Sequence, residues 1–202
     1  MDTCDATGTC IAGSLVTACS NVADGCCPTT CTAVDDIDCA CSSTTYASSN
    51  PVSNNGWEGY MFDIGAISNA VTILTLSVHL DATVTTVEMY YKAGTYAGFE
   101  GTPGAWTSLG PVAVSPPAGG GITSIPLMLN VTIPSGQVAA FYFAVPGASL
   151  QSNGVNYITG ATLEGDSEID IYGGAGIDNT FGGVISGNRN FVGTVEYEVC
   201  GS

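Results

Sequence analysis

The sequence predicts an all-β protein: a jelly-roll-like antiparallel β-sandwich with a small disulfide-rich N-terminal segment. Three observations lead there. From Trp57 onward, short runs rich in Val, Ile, Thr, Tyr and Phe alternate with clusters of Gly, Pro, Asn and Asp. No segment sustains a 3.6-residue apolar period, so helices are not expected. Eight of the nine cysteines fall within the first 41 residues, a density that implies an oxidising compartment and a disulfide framework.

Taken in order, residues 1–41 form the disulfide-rich module. About forty residues bury too little apolar surface to fold alone, so cross-links must supply their order. Residues 42–56, SSTTYASSNPVSNNG, are polar and read either as a linker or as the start of the first strand. Residues 57–202 form the sandwich domain. Its strands are expected near 57–64, 71–80, 84–92, 105–115, 122–133, 138–145, 155–159, 167–172 and 191–199. The clearest is the stretch Val84 to Gly98. There Val87, Met89 and Tyr91 alternate with Glu88, Tyr90 and Lys92, the period of a strand buried on one face. With similar strands on both sides, it reads as a central strand. About nine short strands at this spacing suit a sandwich of the jelly-roll type.

Composition narrows the function. Eighteen acids against two bases give a net charge of −16. Such a surface repels phosphate backbones, which excludes nucleic acid as a partner. No apolar run approaches the roughly 18 residues of a membrane-spanning helix, so no membrane insertion is expected. Few lysines remain to guard sheet edges against association. The first twenty residues lack a basic leader region and carry Cys4, Cys10 and Cys19, so the chain reads as a mature or trimmed form.

Two resemblances add to this reading. Asp24-Gly25-Cys26-Cys27-Pro28, then Cys31, Asp36, Asp38 and Cys39, resemble cysteine-rich modules of secreted myxobacterial and related bacterial proteins. The likeness spans about twenty residues and implies an extracellular module with no known activity. Over residues 57–199 the chain resembles a β-sandwich domain of secreted Bacteroidetes-type cell-surface proteins. The likeness rests on Gly59-Tyr60-Met61-Phe62-Asp63-Ile64, Thr86-Val87-Glu88-Met89-Tyr90-Tyr91-Lys92, Gly94 to Glu100, Ala105 to Gly110, Val131 to Gly136 and Gly193 to Tyr197. It implies an exported module without established catalysis. That family usually carries Trp-Asn-Gly where this chain has Phe191-Val192-Gly193, which argues against an aromatic sugar platform at that point.

The residues that could carry chemistry are few. Cys41 precedes the sandwich and Cys200 ends its last strand, so neighbouring terminal strands would bring them together as a pair. The other seven, Cys4, Cys10, Cys19, Cys26, Cys27, Cys31 and Cys39, cannot all pair within one chain. A buried free thiol and a bond between subunits both remain open. Asp35, Asp36 and Asp38 are the candidate calcium ligands, because clustered loop carboxylates suit Ca2+. The competing reading is a solvated turn that caps its own amides. The alternating acids Glu164, Asp166, Glu168 and Asp170 are a second, weaker case.

The only histidine, His79, lies in the apolar run Ile73 to Leu80 and reads as structural. There is no G-x-S-x-G nucleophile motif, and nothing marks a catalytic carboxylate pair. Tyr96, Phe99 and Trp106 form the candidate ligand-binding loop, weighed against plain core packing. Lys92 and Arg189 are expected to pair with nearby acids. Asn130-Val131-Thr132 fits a glycosylation sequon and leaves that modification open.

The expectation is therefore a secreted, extracellular or cell-surface module that is not an enzyme. It would be structural or adhesive, and could self-associate into a layer, fibre or matrix. The alternative partner is a glycan, bound in the manner of a lectin.

Overall fold

A computed structural model describes residues 2–4, 10–12, 41–49, 55–145, 155–159, 163–183 and 185–200. Its strands are β1 (Asp2–Cys4), β2 (Cys10–Ala12), β3 (Cys41–Ala47), β4 (Asn55–Trp57), β5 (Gly59–Ala66), β6 (Val71–Leu80), β7 (Thr86–Ala93) and β8 (Thr107–Ala113). They continue with β9 (Gly121–Ser124), β10 (Val131–Ile133), β11 (Val138–Ala144), β12 (Val155–Thr159), β13 (Glu164–Gly165), β14 (Ile169–Ile177), β15 (Ile185–Asn190) and β16 (Gly193–Cys200). A single 3-10 turn at Pro103–Ala105 is the only helical element among the described residues. β1 and β2 pair with each other, Cys4 opposite Cys10.

The remaining strands form two antiparallel sheets packed as a β-sandwich. In the first, β3 pairs with β16 and β16 with β6, while β9 and β10 share the other side of β6. In the second, β5 lies between β11 and β14, β7 follows β11, and β8 forms the edge. The chain alternates between layers: β3, β5, β6, then β7 and β8, then β9 and β10, then β11, then β16. The order β3-β16-β6-β9/β10 facing β5-β11-β7-β8 is that of a jelly roll. β14 and β15 extend the second sheet beyond β5.

The alternation in β7 is realised. Val87 and Met89 are buried between the sheets and Tyr91 packs against them. The strand is not central, however, because only β8 lies beyond it. The centre belongs to β5, which is buried along its whole length. Its even residues Tyr60, Phe62 and Ile64 fill the space between the sheets. There Phe62 stacks on Phe191 with centroids 4.7 Å apart, and on Tyr60 and Phe143 at 5.3 and 5.9 Å. Opposite them lie Ile73, Leu76, Val78 and Leu80 of β6 with Val195 and Tyr197 of β16.

Three boundaries differ from expectation, each for a local reason. The run 122–133 is split, because Ile125 and Leu129 bond to carbonyls of Leu76 and Leu74 between β9 and β10. The strand expected at 167–172 runs on to Ile177 through a bulge between Tyr172 and Ala175. Glycine is required there: a Cβ on Gly174 would lie 2.1 Å from the Met61 carbonyl oxygen. β15, ISGNRN, has little strand propensity and is held by its pairing with β14. β3 occupies the polar stretch whose composition left linker and strand open.

At the start of β3, Cys41 is disulfide-bonded, and the residue opposite it in the ladder is Cys200. A bridge between them would close a loop of about 160 residues, worth roughly 2–5 kcal/mol. Cys41→Ser is expected to lose that much in denaturant unfolding. The Cys41→Ser/Cys200→Ser double variant should lose no more than the single one; an additive loss would assign Cys41 another partner.

Candidate functional site

The second sheet has an outer face, and one row of it crosses four strands. Tyr172, Asp63, Ala140 and Lys92 are successive ladder partners on β14, β5, β11 and β7. Residues 94–106 fold back over this row. Gly94 and Gly98, with φ of +76° and +84°, make the reversals.

Asp63 holds the loop down. It is 6% exposed and accepts hydrogen bonds from Thr95 Oγ1 at 2.5 Å and from the Tyr96 amide at 2.9 Å. Burial raises its carboxyl above the usual carboxylate value, with the two hydrogen bonds and Lys92 opposing. Lys92 Nζ donates to the carbonyls of Ala93 and Thr95 at 2.9 and 2.7 Å. It also sits 4.3 Å from the centroid of the Phe99 ring. The acid partner expected for Lys92 is thus replaced by two carbonyls and a ring, with Asp63 acting only through its field.

The aromatic residues of the loop divide. Trp106 is buried against Tyr142 and Phe181, with centroids 5.9 and 6.0 Å away, and donates Nε1 to the Phe99 carbonyl at 3.0 Å. Tyr96 packs on the same cluster and donates its hydroxyl to the Gly173 carbonyl at 3.3 Å. Burial pushes the Tyr96 phenol up to about 12. Of the two readings weighed for this loop, core packing describes Trp106, which belongs to a second apolar core with Met61, Ala140, Tyr142, Ala144 and Ile177, while Tyr96 is partly buried against that core. Phe99 stays 40% exposed, and Tyr172, which sequence reasoning missed, is 38% exposed on the same face. Its position four residues into an alternating strand was the available signal.

The second acidic region is tied into the fold. Tyr46 donates to Glu164 at 2.7 Å and Tyr197 to Asp166 at 2.8 Å. Asp166 Oδ1 accepts the amides of Glu168 and Ile169, and Asn69 donates to Glu168. Burial, reinforced by these carboxylates, raises both phenols well above 10. Among the described residues no group of three His, Cys, Asp or Glu side chains is placed to hold a metal. Asp35, Asp36 and Asp38 lie outside the described residues, as do Cys19, Cys26, Cys27, Cys31 and Cys39. His79 is half-buried in β6, and burial lowers its pKa against the pull of Asp81.

Two clefts open beside β9 and β10. One of about 520 Å³ is lined by Val114, Pro117, Ile122 and Pro126; one of about 200 Å³ by Tyr91, Val131, Ile133 and Val138. No carboxylate, histidine, lysine or cysteine lines either of them.

Among the described residues, the strands at the two ends of the strand order, β8 and β3, are unlike. β8 carries Pro111, which offers no N–H, and Gly110 at φ +85° beside a register shift. Both features blunt an edge. β3 reads Cys-Ser-Ser-Thr-Thr-Tyr-Ala, without charge, proline or glycine, and Cys41 to Thr45 are exposed.

Trp106→Ala is expected to cost about 3–5 kcal/mol in thermal or denaturant unfolding. Phe99→Ala and Tyr172→Ala should stay within about 0.5 kcal/mol. The sign of the Asp63 effect follows from its raised pKa. The folded state binds that proton more tightly than the unfolded chain, so the stabilisation is complete below the ordinary value of 3.8 and falls as pH rises through the folded value. Asp63→Asn keeps an acceptor for Tyr96 and a partner for Thr95, and should remove this decline from the stability–pH profile. An unchanged profile would mean that Asp63 ionises as freely in the folded state.

No family model matches this sequence, and no curated protein matches it.

Proposed function

We propose that the protein is a non-enzymatic structural or adhesive module of the extracellular space or cell surface, assembling through its sheet edge. The observation that carries this reading is β3: seven residues, uncharged, exposed over Cys41 to Thr45, and at the end of the first sheet among the described residues. Such an edge offers unpaired N–H and C=O groups to another strand, and natural proteins normally guard it with charge, proline or a bulge. The opposite edge has two of these guards. The nine cysteines, an odd number, add a possible covalent link between subunits.

Purified mature protein should form ordered filaments, sheets or oligomers in electron microscopy and sedimentation, with and without Ca2+. Ca2+ dependence would bring in Asp35, Asp36 and Asp38. Dispersed monomers under both conditions, at high concentration, would overturn the assembly reading.

A second reading, glycan binding, is favoured by Phe99 and Tyr172, which expose ring surface on one face of the second sheet. Retention on insoluble polysaccharide that disappears in Phe99→Ala or Tyr172→Ala, with unchanged melting temperature, would establish it. Retention that survives both changes, or no retention at all, would remove it.

A further inference from the structure

We infer that β3 is an isologous interface: two copies of this chain pair antiparallel through β3, centred on Thr44. This rests on the assembly reading above and names its partner and register. The first support is rigidity. β3 is fixed at one end beside the disulfide-bonded Cys41. At its other end the Ser48 amide bonds the Gly193 carbonyl at 3.0 Å, and the Gly193 amide bonds Ser48 Oγ at 3.2 Å. Between them the ladder to β16 is unbroken from Cys41 to Ala47. A strand added to a template already held in place has less order to create.

Register and facing supply the second support. Full overlap of two seven-residue strands places Thr44 opposite Thr44 of the partner subunit, Ser42 opposite its Tyr46, and Ser43 opposite its Thr45. Each such pair joins residues of like parity. Thr44 and Tyr46 lie in the ladder opposite Tyr197 and Val195, which face the core. Opposed residues in an antiparallel pair share a face, so both subunits keep their second layer on the same side. A one-residue slip would put the second layers on opposite sides.

Charge is the third. A protein of net charge −16 resists contact with itself over most surfaces. β3 brings no charge to the pair. Among the described residues, Glu164 lies against β3 on the core side, bonded to Tyr46 and Ser49, and the nearest acids on the outer face are Glu196 and Glu198 of β16, opposite Thr45 and Ser43. Across the pair, Glu198 of one copy and Glu196 of the other stand three strand spacings apart, about 14 Å. That exceeds the Debye length of about 8 Å at physiological ionic strength, so association should strengthen as salt is added to dilute buffer.

The test is cysteine cross-linking of the full chain under mild oxidation, with the parent protein as the background for its native thiols. Thr44→Cys should yield a disulfide-linked dimer well above parent, because facing residues lie within disulfide reach. Ser108→Cys, on the edge of β8, should not. The Ser48 amide points at β16, so along the unbroken ladder Thr44 also bonds inward while Ser43 and Thr45 point outward. Thr45→Pro should therefore give monomers while keeping its circular dichroism. Equal cross-linking of both cysteine variants would indicate random collision and overturn the inference. Assemblies that persist in Thr45→Pro, or form without Thr44→Cys cross-linking, would place the contact elsewhere and leave the broader assembly reading standing. Monomers throughout would end both.

Discussion

Strand β5 is buried on both faces, and this double burial shapes the rest of the molecule. A sheet that covers only one face needs a single partner layer. Here Tyr60, Phe62 and Ile64 face the first sheet, while Met61 and Asp63 face the opposite way. Neighbouring β11 repeats the pattern, with Phe141 and Phe143 on one side and Ala140 and Tyr142 on the other. The outer face therefore had to be covered, and the loop 94–106 together with Phe181 covers it. Asp63 fixes where the loop starts, and the Trp106 Nε1 bond to the Phe99 carbonyl fixes where it ends.

The chain lives with its acid excess by giving several carboxylates neutral donors. Lysine and arginine number two, so charge pairing could serve few of eighteen acids. Tyrosine hydroxyls take over: Tyr46 on Glu164, Tyr90 on Glu88, Tyr197 on Asp166. A neutral donor satisfies a carboxylate without the desolvation of a second charge. It also stiffens the acidic segment into a structural latch at the end of β14. The same economy is visible at Lys92, whose ammonium supports the loop through carbonyls and a ring.

The fold class was legible because it depends on local periodicity, and Val87 and Met89 face the core as their alternation requires. The central strand was not. Asp63 gave β5 a polar residue mid-run, which hid its two-sided burial, whereas Val-Ala-Ala-Phe-Tyr-Phe-Ala in β11 carried the signal of a strand covered on both faces. The aromatic loop was left between ligand binding and core packing for a related reason. Trp106 is buried, and Tyr96 partly so, in the cluster of Met61 and Tyr142, residues about forty positions away in the chain, and no local pattern encodes that meeting. Exposure of Phe99 and Tyr172 is likewise decided by which strands lie side by side.

The edges bring these constraints to function. A jelly roll has open edges in both sheets, and each must be guarded or used. At β8 the bulge at Gly110 and the ring of Pro111 come at a cost in ladder bonds, which is the ordinary price of solubility. No such concession is made at β3, although a lysine there, or a proline at the outward-pointing Ser43 or Thr45, would disturb little else, since residues Cys41 to Thr45 are exposed. The strand is instead anchored along its full length to β16, which is itself locked to β6 over the whole height of the first sheet. Rigidity without protection is what the proposed extension by another strand requires. Protection without need makes sense for β8. On the assembly reading proposed above, it is the asymmetry between these two edges that would separate a binding surface from a boundary.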